Sequence, residues 1–152
     1  DDTLELMYAE LESRNVALIR AFQDDPETLV DADQLRSAFI NIIRNAVDAM
    51  PGGGTLTVGI SAHGDAIAVT FTDDGAGIAP ENMPRVFTPY YTSKANGSGL
   101  GMLITQRIVN AHGGSVALDS EPGTGTTVTI KLPVTRSARR RSLPLPKEET
   151  EQ

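Results

Sequence analysis

A chain of 152 residues with 39% hydrophobic and 22% charged content has the make-up of a single soluble globular domain, long enough to bury about 68–70% of its unfolded surface. The absence of Cys excludes disulfides and thiolate metal sites and fits a cytoplasmic setting, and no apolar run is long enough to span a membrane. The net charge of −7 is carried by residues 1–50, where 11 acids face 4 arginines, so a general nucleic-acid binder is disfavoured and any phosphate must be held by local geometry. The chain opens at Asp1 with neither Met nor a signal-like stretch, and is expected to be a piece of a longer protein.

Residues 3–12 (TLELMYAELE) place Leu4, Met7, Tyr8 and Leu11 on one side of a helix, and residues 15–22 (NVALIRAF) alternate as a strand does. Asp24-Asp25-Pro26 predicts a turn, Leu29 and Val30 a short strand, and Asp33 the N-cap of a helix over 35–50, LRSAFINIIRNAVDAM. In that helix Leu35, Ala38, Phe39, Ile42, Ile43, Ala46, Ala49 and Met50 form a buried face, and Pro51-Gly52-Gly53-Gly54 ends it. Asn41 and Asn45 fall one turn apart on a stripe beside that face, extended by Asp48. Asn is a poor helix former, so the pair needs a reason. Their amide oxygens either ligate a hard cation such as Mg²⁺ or bond neighbouring loops.

Two strands, Thr55–Ser61 and Ala66–Thr72, read as a hairpin around His63-Gly64-Asp65, which leaves His63 a solvated turn residue. Residues 73–98 are glycine-rich and without periodicity, the mark of a functional lid. A helix over Leu100–Ala111 follows, with Leu103, Ile104, Ile108 and Val109 inward, ended by His112-Gly113-Gly114 with His112 as a helix-end cap. Ser115–Ser120 and Thr126–Leu132 make a second strand pair joined by Pro122-Gly123-Thr124-Gly125. Residues 134–152 have no core pattern, with arginines at 136, 139, 140 and 141 before an acidic end, and are expected to be a disordered tail.

Two loop motifs carry chemistry. In Asp73-Asp74-Gly75-Ala76-Gly77-Ile78, a carboxylate at a strand end sits beside bare backbone and can accept from an exocyclic amine. Gly97-Ser98-Gly99-Leu100-Gly101 precedes a helix, whose N-terminal N–H groups suit a phosphate. It is neither a P-loop nor a dinucleotide fingerprint. Phe87, Pro89, Tyr90 and Tyr91 can pack the lid down, and Lys94 is placed to pair with a terminal phosphate or to stay solvated.

Taken together, NIIRNAVDAM, DDGAGI, VFTPYYTSK, GSGLGM and GTGTTVTIKLP, in this order over residues 33–133, resemble the catalytic ATP-binding domain of bacterial sensor histidine kinases, within the gyrase, Hsp90, histidine kinase and MutL superfamily. VFTPYYTSK looks most like the nitrogen-regulation type. The resemblance implies an α+β fold, a two-layer α/β sandwich of the Bergerat type, with a mixed, mostly antiparallel sheet and helices on one face. Residues 1–12 would be a linker-side helix, 13–133 the catalytic domain and 134–152 the tail. It implies ATP and Mg²⁺ as cofactors: Asn45 ligating the metal, Asn41 near the phosphates, and Asp73 bonding the adenine amino group. Gly75, Gly77 and Ile78 would shape the adenine pocket, with Thr126 at its far end. Tyr91, Thr92, Lys94, Gly97, Ser98, Gly99, Leu100 and Gly101 would form the lid and phosphate cradle. Asn41, Asn45 and Lys94 are the catalytic positions so implied. Met102 stands where the family often has Leu, a volume-conserving swap.

The ATPase and serine-kinase branches of the superfamily place Glu where Asn41 stands, and an amide cannot serve as a general base. The resemblance therefore implies transfer of the γ-phosphoryl group to a histidine. Neither His63 nor His112 has the sequence context of an acceptor, so the acceptor is expected on a separate helical dimerisation hairpin, with a response regulator downstream. The alternatives are an ATPase or serine-kinase relative, and a non-enzymatic nucleotide-dependent binding module. The isolated chain is expected to be a cytoplasmic monomer without nucleic-acid or membrane contacts, whether or not the full-length sensor is membrane-bound.

Overall fold

The computed structural model of the chain describes residues 2–89 and 100–134. The elements run α1 (Asp2–Ser13), β1 (Val16–Phe22), α2 (Ala32–Asp48), β2 (Gly54–His63), β3 (Ala66–Asp73), a 3-10 helix (Pro80–Arg85), α3 (Gly101–Ala111), β4 (Ser115–Glu121) and β5 (Gly125–Pro133). The strands form one sheet in the order β1-β2-β3-β5-β4, with β1 parallel to β2 and every other pair antiparallel. This is the expected mixed, mostly antiparallel α+β sandwich.

Period-two alternation divides the sheet into two faces. Leu56 and Val58, Ile67, Val69 and Phe71, and Val128, Ile130 and Leu132 are buried in one core with Leu35, Ile42, Ile43, Ala46 and Val47 of α2. The Phe39 and Phe71 rings meet at 5.5 Å across the two layers. The other face carries threonines in register: Thr57 opposite Thr72, Thr72 opposite Thr127, and Thr70 opposite Thr129. Their β-branched chains suit a pleated surface and their hydroxyls suit water, and Thr72 and Thr127 bond each other at 3.1 Å. Leu4, Met7 and Leu11, on the segment expected to be a linker-side helix, join the same core. Arg14–Asp48 and Arg44–Glu10, each at 3.5 Å, link the exposed sides of α1 and α2, contacts worth about 0–1 kcal/mol apiece.

Three local expectations are corrected. Leu29 and Val30 form no strand, because none of the described residues pairs with them; Leu29 is 62% exposed. The N-cap of α2 is Asp31, not Asp33: Asp31 is extended and accepts the N–H of Gln34 at 3.1 Å, while Asp33 lies inside the first turn. On α3 the stripe turned inward is Met102, Thr105 and Val109, with Ile108 half-buried, and Ile104 is 44% exposed. The helix has more apolar residues than one face can bury, and its packing on α2 selects which of them go in.

His112 does cap α3, and does more. Its Nδ1–H donates to the Ile108 carbonyl at 2.8 Å, which leaves Nε2 to accept the N–H of Asp31 at 3.0 Å. One ring thus ties the C-terminal end of α3 to the N-cap of α2. His63 is exposed at its turn, as expected.

Thr105 is fully buried and its hydroxyl has no hydrogen-bond partner among the described residues. Replacing Thr105 by Val is expected to leave stability unchanged or raise it by about 1 kcal/mol, since a buried unpaired hydroxyl carries a desolvation cost. Equilibrium urea unfolding of the two proteins measures this difference, and a loss above about 1 kcal/mol would refute it.

Candidate functional site

The site is built where three segments meet at one end of the sheet. The C-terminal end of a helix leaves carbonyls without intrahelical partners. The Ala49 carbonyl at the end of α2 accepts the N–H of Ala76 at 3.0 Å, which draws the loop after β3 onto the helix. The Ala76 carbonyl in turn accepts the N–H of Gly123 at 2.8 Å, and this brings in the β4–β5 turn.

Glycine is required at two of these contacts. A Cβ on Gly75 would lie 2.4 Å from the Ala49 carbonyl oxygen. One on Gly77 would lie 2.2 Å from the Glu121 carbonyl oxygen, and Gly77 also has φ +72. The two glycines predicted to shape a pocket are therefore the residues that let three backbones converge.

Asp73 ends β3 at this junction and is only 7% exposed. Its Oδ1 accepts the N–H of Gly75 at 2.9 Å, and the Thr126 backbone N–H also bonds the carboxylate. Burial raises its pKa above the ordinary 3.8, the Gly75 and Thr126 bonds pull it back, and the neighbouring Asp74 charge raises it further. Asp74 turns the other way and accepts the N–H of Thr55 at 2.9 Å, pinning the start of β2. Asp73 alone is thus the buried acceptor facing the helices.

Asn41, Asn45 and Ala49 mark successive turns of α2. A Cβ on Gly101 would lie 3.9 Å from the Asn41 side-chain carbon, so the start of α3 stands beside Asn41. Ala76 stands beside Ala49. The two ends of the site are eight residues apart on one helix, about 12 Å at 1.5 Å per residue. Asn41 and Asn45 are half-buried rather than packed into the core. N-cap Leu100 makes no side-chain cap bond at the start of α3.

The structure therefore brings Asn41, Asn45, Gly101, Gly75, Gly77, Asp73, Ile78 and Thr126 to one edge of the sandwich. Tyr91, Thr92, Lys94, Gly97, Ser98 and Gly99 lie outside the described residues. Amide oxygens on Asn41 and Asn45 are of the hard type that Mg²⁺ accepts, and the small Gly101 leaves room beside Asn41; the donor set fits one or two protein oxygens completed by phosphate, not an all-protein cage.

The sequence reading missed Ser120. On β4 it accepts the N–H of Ile78 at 2.8 Å, donates to the Gly125 carbonyl at 3.0 Å, and lies 2.7 Å from the Thr126 hydroxyl. Nothing in the pattern SVALDSE separates it from an ordinary strand serine. A hollow of about 440 Å³ is lined by this row, Asp73, Thr126 and Ser120, together with threonines of the sheet's other face such as Thr57, Thr72 and Thr127.

Gly75→Ala should cost about 1–3 kcal/mol of stability and weaken any ligand held by Asp73, because the added methyl pushes the loop off Ala49. Denaturant unfolding measures the first effect, and an unchanged midpoint would contradict the close approach.

Residues 30–136 match the family described as histidine kinase-, DNA gyrase B- and HSP90-like ATPase. Sporulation kinase E of Bacillus subtilis (strain 168) is 36% identical over 142 residues, 92% of this chain and 19% of that protein. Sensor histidine kinase ZraS of Escherichia coli (strain K12) is 37% identical over 133 residues, 87% of this chain and 29% of that protein. The chain thus spans less than a third of the length of these relatives. Among solved structures, the catalytic domain of histidine kinase ThkA superposes with a TM-score of 0.79 over 87% of this chain and 88% of its own, a likeness of fold at 22% identity. Full-length ShkA, solved in complex with AMPPNP, gives 0.79 at 28% identity over 90% of this chain and 30% of its own. By the match over most of its length, the chain belongs to the histidine kinase-, DNA gyrase B- and HSP90-like ATPase family.

Proposed function

We propose that this chain is the ATP-binding catalytic domain of a two-component sensor histidine kinase. It binds Mg²⁺-ATP between α2, the loop after β3 and the start of α3, and presents the γ-phosphoryl group to a histidine on a separate helical hairpin. The observation that carries this reading is the buried, acceptor-only carboxylate of Asp73 at one end of α2, with Asn45 and Asn41 one and two turns back towards the start of α3.

Asp73 accepts from the exocyclic amine of the base, and Gly75 and Gly77 let the backbone close around it. Backbone N–H groups at the start of α3 receive phosphate oxygens. Asn45 is the residue that would hold Mg²⁺, with Asn41 beside the phosphates; the ion's chemistry is to neutralise charge on the triphosphate. Asn41 cannot take a proton from water, which favours transfer over hydrolysis. The acceptor imidazole is itself a nucleophile, so the chain contributes positioning and charge stabilisation. Tyr91, Thr92, Lys94, Gly97, Ser98 and Gly99, which lie outside the described residues, would complete the phosphate end. The proposal places the domain in the cytoplasm, monomeric in isolation, with a dimeric acceptor hairpin and a response regulator as partners.

Asp73→Asn should weaken ATP binding by about tenfold or more, since it replaces a charge-assisted acceptor. Titration calorimetry with ATP and Mg²⁺ reads this, and unchanged affinity would remove the assignment. Asn45→Ala should abolish transfer of label from ATP to a dimeric acceptor fragment, read as acid-labile phosphohistidine.

The unliganded Asp73→Asn protein should melt at or above the wild type at neutral pH. Burial raises the folded-state pKa of Asp73, so its ionised form opposes folding above that pKa. The wild type regains this stability as acid protonates the group, and the melting difference should shrink as pH falls through the raised value. Parallel thermal melts across that window test the sign.

A further inference from the structure

We infer that Ser120 determines which nucleobase the site accepts, by holding the Thr126 hydroxyl so that it can only receive hydrogen bonds. The inference rests on the nucleotide reading above and assigns a residue that reading does not use. Ser120, Thr126 and Asp73 stand in one row across β4, β5 and β3: Ser120 pairs with Thr126, and Thr126 pairs with Asp73.

The proton positions in this row follow from the partners. The N–H of Ile78, 2.8 Å from the Ser120 oxygen, can only donate. The Gly125 carbonyl at 3.0 Å can only accept, so it takes the single hydroxyl proton of Ser120. With that proton committed, the 2.7 Å contact between the two hydroxyls must be Thr126 donating to Ser120. Ser120 then has its one donor and both lone pairs engaged. Thr126 has given its proton away and keeps only lone pairs.

Asp73, next to Thr126, is likewise an acceptor, already steadied by the N–H groups of Gly75 and Thr126. Two neighbouring groups that can only accept suit the 6-amino group of a purine. They oppose a 6-oxo group, which would bring a third acceptor against them. Ser120 touches no ligand in this account. It is a positioning residue acting through Thr126, and without it the Thr126 hydroxyl is free to rotate and donate.

The test compares ATP with inosine triphosphate, which replaces the 6-amino group and bare N1 of adenine by a 6-oxo group and an N1–H, by calorimetry with Mg²⁺ on the chain as it stands. The wild type should prefer ATP by about 100-fold or more. Ser120→Ala should narrow that preference about tenfold. In a Thr126→Val background the same Ser120→Ala change should leave the ratio where Thr126→Val put it. Loss of both affinities by one factor in Ser120→Ala would reduce Ser120 to scaffold and overturn the inference, with the nucleotide site intact. A further narrowing in the Thr126→Val background would overturn it as well. Should Ser120→Ala fail to fold, Thr126→Val alone decides: it must narrow the ratio, and an unaltered ratio refutes the assignment. A wild type that binds no ATP, or binds ATP with the same affinity after Asp73→Asn, overturns the nucleotide reading, and this inference with it.

Discussion

The hydrogen bond from the Ala76 N–H to the Ala49 carbonyl joins the helical layer to the sheet at the point where the site lies. A helix C-terminus must dispose of its last carbonyls, and here one of them is satisfied by a loop instead of by solvent. The loop can come that close only because Gly75 has no side chain. Everything placed at the junction inherits this constraint: the direction of Asp73, the turn at Gly77, and the approach of the β4–β5 turn through Gly123. Two backbone hydrogen bonds and two missing methyl groups thus fix where the loop after β3 and the β4–β5 turn lie relative to α2.

From that anchor α2 works as a ruler. Its buried face locks it to the sheet through Phe39 on Phe71 and the Ile42–Ile43 pair, so its rotation is set by packing. Its axial position is set at both ends, by Ala49 on Ala76 and by His112 on the Asp31 N–H. Asn41 and Asn45, which contribute little to the core, are thereby held at fixed height and azimuth. A metal ligand needs that kind of support, because a flexible amide would lose much of its binding free energy to ordering.

Local periodicity was enough to read the order of elements, because long amphipathic and alternating segments leave little ambiguity; the two layers were implied by the family resemblance. Among the described residues, each element but the 3-10 helix follows a pattern visible in the sequence. The errors fall where tertiary choice decides among equals: Asp31 against Asp33 as cap, and Met102 and Thr105 against Ile104 as the inward stripe. Leu29 and Val30 look like a strand but have no neighbour to pair with among the described residues. The motif residues expected at the site were legible jointly, through the family resemblance they carry in order, since each glycine box by itself would match many turns. Ser120 was not, because its role arises from joining Ile78, 42 residues away in sequence, to Gly125 and Thr126 across the next turn.

On the proposed function an acidic chain has to hold a triphosphate, which poses an electrostatic problem. Residues 1–50, which include α2, hold 11 acids and 4 arginines, so the average field repels a polyanion. The repulsion is managed by distribution. Glu10 and Asp48 are engaged with Arg44 and Arg14 on the α1 side, and Asp74 is turned onto Thr55. Asp73 sits at the Ala49 end, about 12 Å along α2 from Asn41, where on the proposed reading it would meet an amine and not a phosphate. The phosphate end offers neutral amides and the start of a helix, donors and dipoles that attract an anion without adding net charge. A divalent cation held there by Asn45, as proposed, would supply the remaining positive charge when the nucleotide arrives. On this arrangement affinity depends on the metal and on local dipoles, so it should be far less sensitive to ionic strength than binding through a lysine-rich groove.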